Sequence, residues 1–415
     1  MGVRAGYKQT DIGIVPSDWD VGPLGKRATF RTGPFGSALH KSDYTNNGIP
    51  IVNPMHIVDG RIAPTQSMTI SEQAATKLAD FRMASGDIVM GRRGDMGRCA
   101  VVRESEAGWL CGTGSMIVRP LNVNPDFLQR VLSSQRAVTA IKDSSVGTTM
   151  VNLNQSTLAR LQVQFPPVAE QAAIAEALSD VDALLSGLDR LIAKKRDLKQ
   201  AAIQQLLTGQ TRLPGFHGEW EVKQLGQLGE FIKGSGIRKD EAASGDLAAV
   251  RYGEIYTIHH NVVRECRSRI SKEVASTAIR LKEGDLLFAG SGETKAEIGK
   301  CAAFTDAIEA YAGGDIIILR TNGVCPFFMG YLCNQPAVQR SKASKGQGDA
   351  VVHINAAALG SIEVAVPSLA EQTAIAQVLS DMDAELAVLE ARREKTRQLK
   401  QGMMQELLTG RTRLV

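Results

Sequence analysis

Pro166-Pro167-Val168-Ala169-Glu170-Gln171 opens a stretch that closes at Leu206-Leu207-Thr208-Gly209 and Thr211-Arg212-Leu213. The same stretch returns from Pro367-Ser368-Leu369-Ala370-Glu371-Gln372 to Leu407-Leu408-Thr409-Gly410 and Thr412-Arg413-Leu414. Ile174, Leu178, Ser179, Asp180 and Asp182 match Ile375, Leu379, Ser380, Asp381 and Asp383 without a gap, each pair offset by 201 positions (371 − 170). Two ungapped copies of this length do not arise by chance, and an internal repeat governs every later inference about fold.

Each copy reads as one long helix. Ile174, Leu178, Val181, Leu185, Leu188 and Ile192 step by 4, 3, 4, 3 and 4, the seam of an amphipathic helix with coiled-coil character. Ile375, Leu379, Met382, Leu386 and Leu389 keep that seam in the second copy. Gly209 and Gly410 suit the left-handed residue that ends a helix. Ser368, three residues before Glu371, predicts a capping box, while Pro167 in the first copy sits where a proline costs little. From Glu170 to Thr208 the helix runs 39 residues (208 − 170 + 1), roughly 58 Å at about 1.5 Å per residue. Ordinary bundle helices are the alternative, but they are usually much shorter.

The repeat extends beyond the helices. Trp19, Val21, Leu24, Gly25, Phe30 and Gly33 match Trp220, Val222, Leu225, Gly226, Phe231 and Gly234 at the same offset. Gly86-Asp87-Ile88-Val89 answers to Gly284-Asp285-Leu286-Leu287, and Gly97-Arg98-Cys99-Ala100 to Gly299-Lys300-Cys301-Ala302. Short β runs (87–90, 116–119, 285–288, 316–320), glycine-rich turns and one short helix near 127–141 or 327–340 give each globular part an α+β character. The chain therefore divides into a globular domain at 1–165, a helical spacer at 166–213, a second globular domain at 214–365 and a second spacer at 366–415. Packed seam to seam, the two helices run antiparallel, place the domains at opposite ends and relate them by a pseudo-two-fold axis. The scaffold is shared and the surfaces have drifted apart.

Composition sets limits. The 415 residues suit two domains rather than one core, and 43% hydrophobic with 22% charged residues is typical of a globular protein. A net charge of +4 permits nucleic acid as a partner without demanding it. The cysteines at 99, 111, 266, 301, 325 and 333 form no CxxC or metal-ligand pattern, and His353 stands alone. They read as buried thiols in a reducing compartment. No apolar run approaches the roughly 20 residues of a membrane span. No apolar signal region stands at the N-terminus, Gly6 breaks the myristoylation pattern, and a cytoplasmic location is expected.

A two-fold object carrying two reading heads on a stiff spacer suits duplex DNA, with different heads for different half-sites and an unread gap between them. At this point the chain resembles, over nearly its whole length, the specificity subunit of a type I restriction-modification system. The resemblance rests on two divergent recognition domains, paired helical segments beginning Pro-x-x-x-Glu-Gln and ending Leu-Leu-Thr-Gly, and the loop Gly86-Asp87-Ile88-Val89 through Arg93-Gly94 to Gly97. It implies a subunit that reads double-stranded DNA and catalyses nothing. Two adenine-N6 methyltransferase subunits would dock on the helices, and ATP-driven restriction subunits would join. S-adenosylmethionine, ATP and magnesium would belong to those partners, and this chain would hold no cofactor or metal and contact no membrane.

Candidate DNA contacts lie in glycine-flanked loops. Arg92, Arg93 and Arg98 follow a β run, and an arginine fork can bond a guanine edge or clamp phosphate. Ser291, Lys295 and Lys300 are their counterparts in the second domain, where Gly290-Ser291-Gly292-Glu293-Thr294-Lys295 replaces Gly91-Arg92-Arg93-Gly94-Asp95. Lys41 and Ser42 match Arg238 and Lys239 in a second pair of loops. Lys342, Lys345 and Gln347 flank a glycine-rich turn suited to phosphate. Each has a bland alternative as a solvated surface turn. For Lys194, Lys195, Arg196 and Lys199 on the helix, the solvated face is the preferred reading and DNA or partner contact the runner-up. A methyltransferase would need an Asn/Asp-Pro-Pro-aromatic tetrapeptide, which is absent. Asp285 with Glu293 and Lys295 only superficially resembles a nuclease set, because Arg92 to Asp95 offers no equivalent. A helical interaction scaffold without DNA is the remaining alternative, and the divergence of paired heads on matched spacers argues against it.

Overall fold

The computed structural model describes residues 4–34, 38–94, 96–144, 153–348 and 350–414. The chain forms two compact units, one of residues Met1–Asp189 with Ala391–Val415, the other of Arg190–Glu390. Each long helix thus passes from one unit to the other part-way along its length. Among the described residues no helix is long and apolar enough to cross a membrane.

In the first unit Cys99–Val101, Ile88–Gly91, Ser115–Pro120 and Ala28–Thr32 form an antiparallel sheet in that order. Side chains alternate across a strand, so each strand feeds two cores. Ile88, Met90, Met116 and Val118 face helical residues Phe127, Leu128, Leu132 and Ile141, with Ile174 and Leu178 of the first long helix. Val89, Ala100 and Ile117 face the other way, onto Val52, Ile57 and Cys111. That second layer holds a smaller sheet in which Leu110–Cys111 runs parallel to Ile49–Val52.

The second unit repeats the plan with one more strand. Gly229–Lys233, Ile316–Thr321, Asp285–Ala289, Cys301–Phe304 and Val262–Val263 lie in that order, the last pair parallel. Leu286, Phe288, Cys301 and Leu319 meet Phe328, Met329 and Leu332, while Leu287, Ala289, Phe304 and Ile318 meet Val250, Ile255 and Ala310. One ion pair is common to both sheets. Arg119 donates to Asp87 at 2.7 and 2.8 Å, and Arg320 donates to Asp285 at 3.0 and 2.9 Å. Each aspartate also accepts a backbone N–H three residues upstream, from Ala84 or Lys282, which makes the Gly-Asp pair the corner of the sheet.

The single helix expected near 127–141 is two, Pro125–Ser133 and Gln135–Asp143. Ser134 is extended (ψ 147°) and its hydroxyl accepts from Ala137 N, so it caps a new helix rather than continuing the old one. The second unit breaks likewise into Pro326–Leu332 and Pro336–Lys345, because proline fits the first turn of a helix and not its interior.

The long helices span Val168–Leu206 (39 residues) and Leu369–Leu408 (40 residues). Gly209 (φ +69°) and Gly410 (φ +71°) adopt the left-handed conformation just beyond the ends. Ile174, Leu178, Leu188 and Ile192 are buried, as are Ile375, Leu379 and Leu386, whereas Val181, Leu185, Met382 and Leu389 are half-buried. The seam is tightest where it enters a domain core. Ion pairs show the helices antiparallel within each unit. In the first, Lys400 meets Asp182 at 2.6 Å and Arg393 meets Asp189 at 3.2 Å. In the second, Lys195 meets Glu385 at 2.7 Å, Arg196 meets Glu390 at 2.5 Å, and Lys199 pairs with Asp383.

The helix starts correct one expectation. Ser368 Oγ accepts from Glu371 N at 3.4 Å, but the Glu371 carboxylate does not reach back to Ser368. It accepts two bonds from Arg212 instead, at 2.5 and 2.6 Å, leaving half a capping box. Gln372 closes the joint: its amide donates to Pro367 O and accepts from Cys325 N, ahead of helix Pro326–Leu332. Gln171 does the same between Pro166 O and Asn124 N. The repeated Glu-Gln dipeptide is therefore a bracket between long helix and domain.

Candidate nucleic-acid interface

In the first unit the glycine-rich loop follows strand Ile88–Gly91. Arg92 is half-buried. Its N–H donates to Gly114 O, its carbonyl accepts from Leu153 N, and its Nε donates to Leu153 O at 3.2 Å. Burial and the neighbouring Arg93 charge lower its pKa. Arg92 thus braces the loop, and Arg93 beside it is exposed. The loop returns through Gly94 (φ +77°) and Gly97 (φ +91°), where a Cβ would lie 2.3 Å from Val138. Arg98 is half-buried with Nη1 3.4 Å from Pro54 O. Asp95 lies outside the described residues.

The second unit builds the same brace from different residues. Gly290 N donates to Asp315 O and Gly290 O accepts from Ile354 N, the repeat counterpart of Leu153. Ser291, at Arg93's place, is only 5% exposed and its hydroxyl lies 2.9 Å from His353 Nδ1. It therefore leaves the set of contact residues and supports a neighbour instead. Lys295 is exposed. Lys300 is half-buried, donates to Tyr256 O at 3.1 Å, and has its pKa lowered by desolvation. It ties the loop to the fold.

The other loops sort similarly. Ile237 has φ +56°, unusual for a β-branched residue, yet its side chain is buried against Ala249, Ile270 and Ala275. Anchoring Ile237 leaves Arg238 and Lys239 exposed. Ser42 is exposed in a single turn at Lys41–Asp43, and the Lys41 side chain lies outside the described residues. Lys342, expected at phosphate, is wholly buried: Nζ donates to Gly299 O at 2.6 Å and burial lowers its pKa. Lys345 is half-buried and Gln347 exposed.

The basic run on the first helix is a partly solvated face whose charges are mostly paired with the second helix. Lys195, Arg196 and Lys199 are committed to Glu385, Glu390 and Asp383, while Lys194 is exposed. The sequence reading also missed the clamps that tie the helix starts. Glu170, 2% exposed, accepts from Arg413 at 2.7 and 2.9 Å and from the Trp19 indole at 3.0 Å. Arg212 holds Glu371 in the second unit. Their signal was present in the sequence, since Glu170, Trp19 and Arg413 all belong to the repeated set.

Comparison with known proteins accords with this geometry. The family described as the type I restriction modification DNA specificity domain matches residues 16–195 and again 217–398. A Methanocaldococcus jannaschii protein named as the MjaX type I restriction enzyme specificity subunit is 23% identical over 98% of this chain and 97% of its own. The crystal structure of the S subunit from M. genitalium superposes with a TM-score of 0.58 at 16% identity, over 98% of both chains. A chain solved in work on complex assembly and conformational transition of a type I restriction-modification system gives 0.57 at 16% identity, over 96% of this chain and 99% of that one.

Proposed function

Because the chain belongs to the type I restriction-modification DNA specificity family, we propose that it reads an asymmetric, bipartite DNA target and directs adenine-N6 methylation and restriction there. One observation carries the reading. The two domains share a brace, Arg92–Leu153 in one and Gly290–Ile354 in the other, but present different side chains from it. A frame shared by both domains with unlike exposed groups suits two half-sites of different sequence.

Catalysis belongs to partners in this reading. Two methyltransferase subunits bring S-adenosylmethionine, restriction subunits bring ATP and magnesium, and the complex works in the cytoplasm. The long helices supply docking faces. In the first unit Leu184 and Leu399 are 44% and 59% exposed, and in the second Leu191, Leu198 and Val388 are 39%, 47% and 67% exposed. Apolar side chains left outside on charged helices suit a partner helix. The modest net charge of +4 fits an assembly whose partners share the phosphate contacts.

Co-expression with a methyltransferase subunit of the same system, followed by single-molecule sequencing of host DNA, tests the proposal. N6-methyladenine confined to one split motif is expected. An active complex that methylates no bipartite motif would defeat it.

A further inference from the structure

We propose that His353 is a base-reading residue of the second domain, with Ser291 as the residue that positions it. The inference rests on the DNA-reading function proposed above and assigns the contact that Ser291 cannot make.

Three short segments meet at this point. Strand Ser291–Gly292 pairs antiparallel with Val352–His353. Gln347 closes the other edge, donating to His353 O at 2.9 Å and accepting from His353 N at 2.7 Å. Both backbone groups of His353 are thereby committed to Gln347. The ribbon is also tight. A Cβ on Gly292 would lie 2.7 Å from the Tyr256 hydroxyl, and one on Gly348 (φ +103°) would lie 2.2 Å from Val351 O. Only glycine fits at these two positions.

The imidazole is fixed in the same way. Nδ1 lies 2.9 Å from Ser291 Oγ, and Ser291 is 5% exposed, so the contact is made under cover. Yet His353 itself is exposed. With one ring nitrogen held by a buried hydroxyl, the other has no hydrogen-bond partner among the described residues and is open to a ligand whichever tautomer is present. The ring is then a preset single donor or acceptor of the size that reaches a base edge.

The repeat supplies the independent argument. Leu153 N donates to Arg92 O as Ile354 N donates to Gly290 O, so Arg93 and Ser291 occupy one position in the two domains. In the first domain that position carries an exposed guanidinium. In the second it is a buried serine, and its cross-strand partner is the exposed imidazole of His353. Each domain thus has an exposed nitrogen-bearing side chain at this position or directly across the ribbon from it. Gln347 and Lys295 are exposed on the same ribbon and loop, with Glu293 and Glu297 beside them, so the surface is polar and of mixed charge, suited to hydrogen-bonded base reading more than to phosphate clamping.

The test compares His353→Ala, His353→Gln and Ser291→Ala in the methylating complex, read by single-molecule sequencing and by DNA binding across a salt series. His353→Ala should cut discrimination about tenfold at one position of one half-site and leave the other half-site unchanged. His353→Gln, which keeps a hydrogen-bonding side chain, should alter preference at that same position. Ser291→Ala should loosen it by less. Motifs unchanged in both halves would overturn the assignment. So would a uniform fall across all sites, or a binding-versus-salt slope reduced by about one, since either marks a phosphate contact or a damaged fold. If the unsubstituted complex shows no split motif at all, the proposed function itself fails first.

Discussion

Replacing Arg413 with alanine should unpick the first unit at a defined place. Glu170 is 2% exposed and takes four bonds: two from Arg413, one from the Trp19 indole and one from Leu414 N at 3.3 Å. The substitution removes two and leaves a buried carboxylate with only neutral donors. Breaking a buried pair from one side costs about 3–5 kcal/mol, chiefly because the survivor keeps its desolvation penalty. The Arg413 side chain is 22% exposed and its second partner Asp18 is 52% exposed, so solvent screens part of the interaction. The low end, about 3 kcal/mol, is the expected loss. For a unit of this size that lowers the melting temperature by roughly 6–12 °C. Thermal melts give the total, and hydrogen exchange should localise the opening to peptides covering 160–178 and 403–414. Adding Glu170→Gln to Arg413→Ala should recover part of the loss, because a buried amide is cheaper than an unpaired carboxylate. A shift under about 2 °C, or a double mutant that costs the sum of the singles, would refute the reasoning.

The two repeat-matched tryptophans should respond unequally: Trp19→Phe loses a bond to a buried carboxylate, about 1.5–3 kcal/mol, whereas the buried Trp220 indole N–H has no partner in the structure and Trp220→Phe should cost little, with equal losses in urea melts counting against the clamp. Burial pushes the thiols of Cys99 and Cys111 up to about 12 and of Cys266 to about 11, so near pH 8 the half-buried Cys325 should react first with a mild thiol reagent. Raising the pH to about 9.5 should leave Cys99 and Cys111 unlabelled until the protein unfolds, and early labelling of either in peptide mass maps would contradict their burial. Inserting one helical turn between Ala183 and Leu191 should lengthen the unread gap while leaving both half-sites intact, and a changed half-site base in the methylation motif would sink the spacer idea.

What the sequence made legible was whatever repeats or has a local period. The long helices announced themselves through the 4–3 seam and the matching glycines, although the first runs Val168–Leu206, two residues earlier at each end than the 170–208 expected from sequence. Contacts between distant residues left no local trace. Ser368 and Glu371 look like a capping box, yet the carboxylate is drawn away by Arg212, which lies 159 positions upstream. Lys195, Arg196 and Lys199 read as an unpaired face in sequence, and the antiparallel helix brings Glu385, Glu390 and Asp383 alongside. The candidate contact loops were picked out by their glycines, but glycine spacing does not say which side chains point outward. Hence Ser291 and Lys300 were grouped with Arg93, although the fold uses the first to hold an imidazole and the second to hold the Tyr256 carbonyl.

Why the helices stayed alike while the domains drifted follows from who pairs with whom. Glu170 closes on Arg413 and Glu371 on Arg212; Asp182 closes on Lys400 and Asp383 on Lys199. In every case the acid comes from one copy of the repeat and the base from the other. A charge lost in one copy therefore strands a carboxylate in the other, and where that carboxylate is buried the stranding costs several kcal/mol. Neither copy can change alone without destabilising a unit. Arg93, Arg238 and Lys239 are under no such reciprocal constraint, being exposed side chains on braced loops, where substitutions usually stay within about 0.5 kcal/mol. Stability thus holds the clamps fixed and leaves the exposed loop side chains free. A chain built this way can change what it reads in one domain without disturbing the joints that hold both.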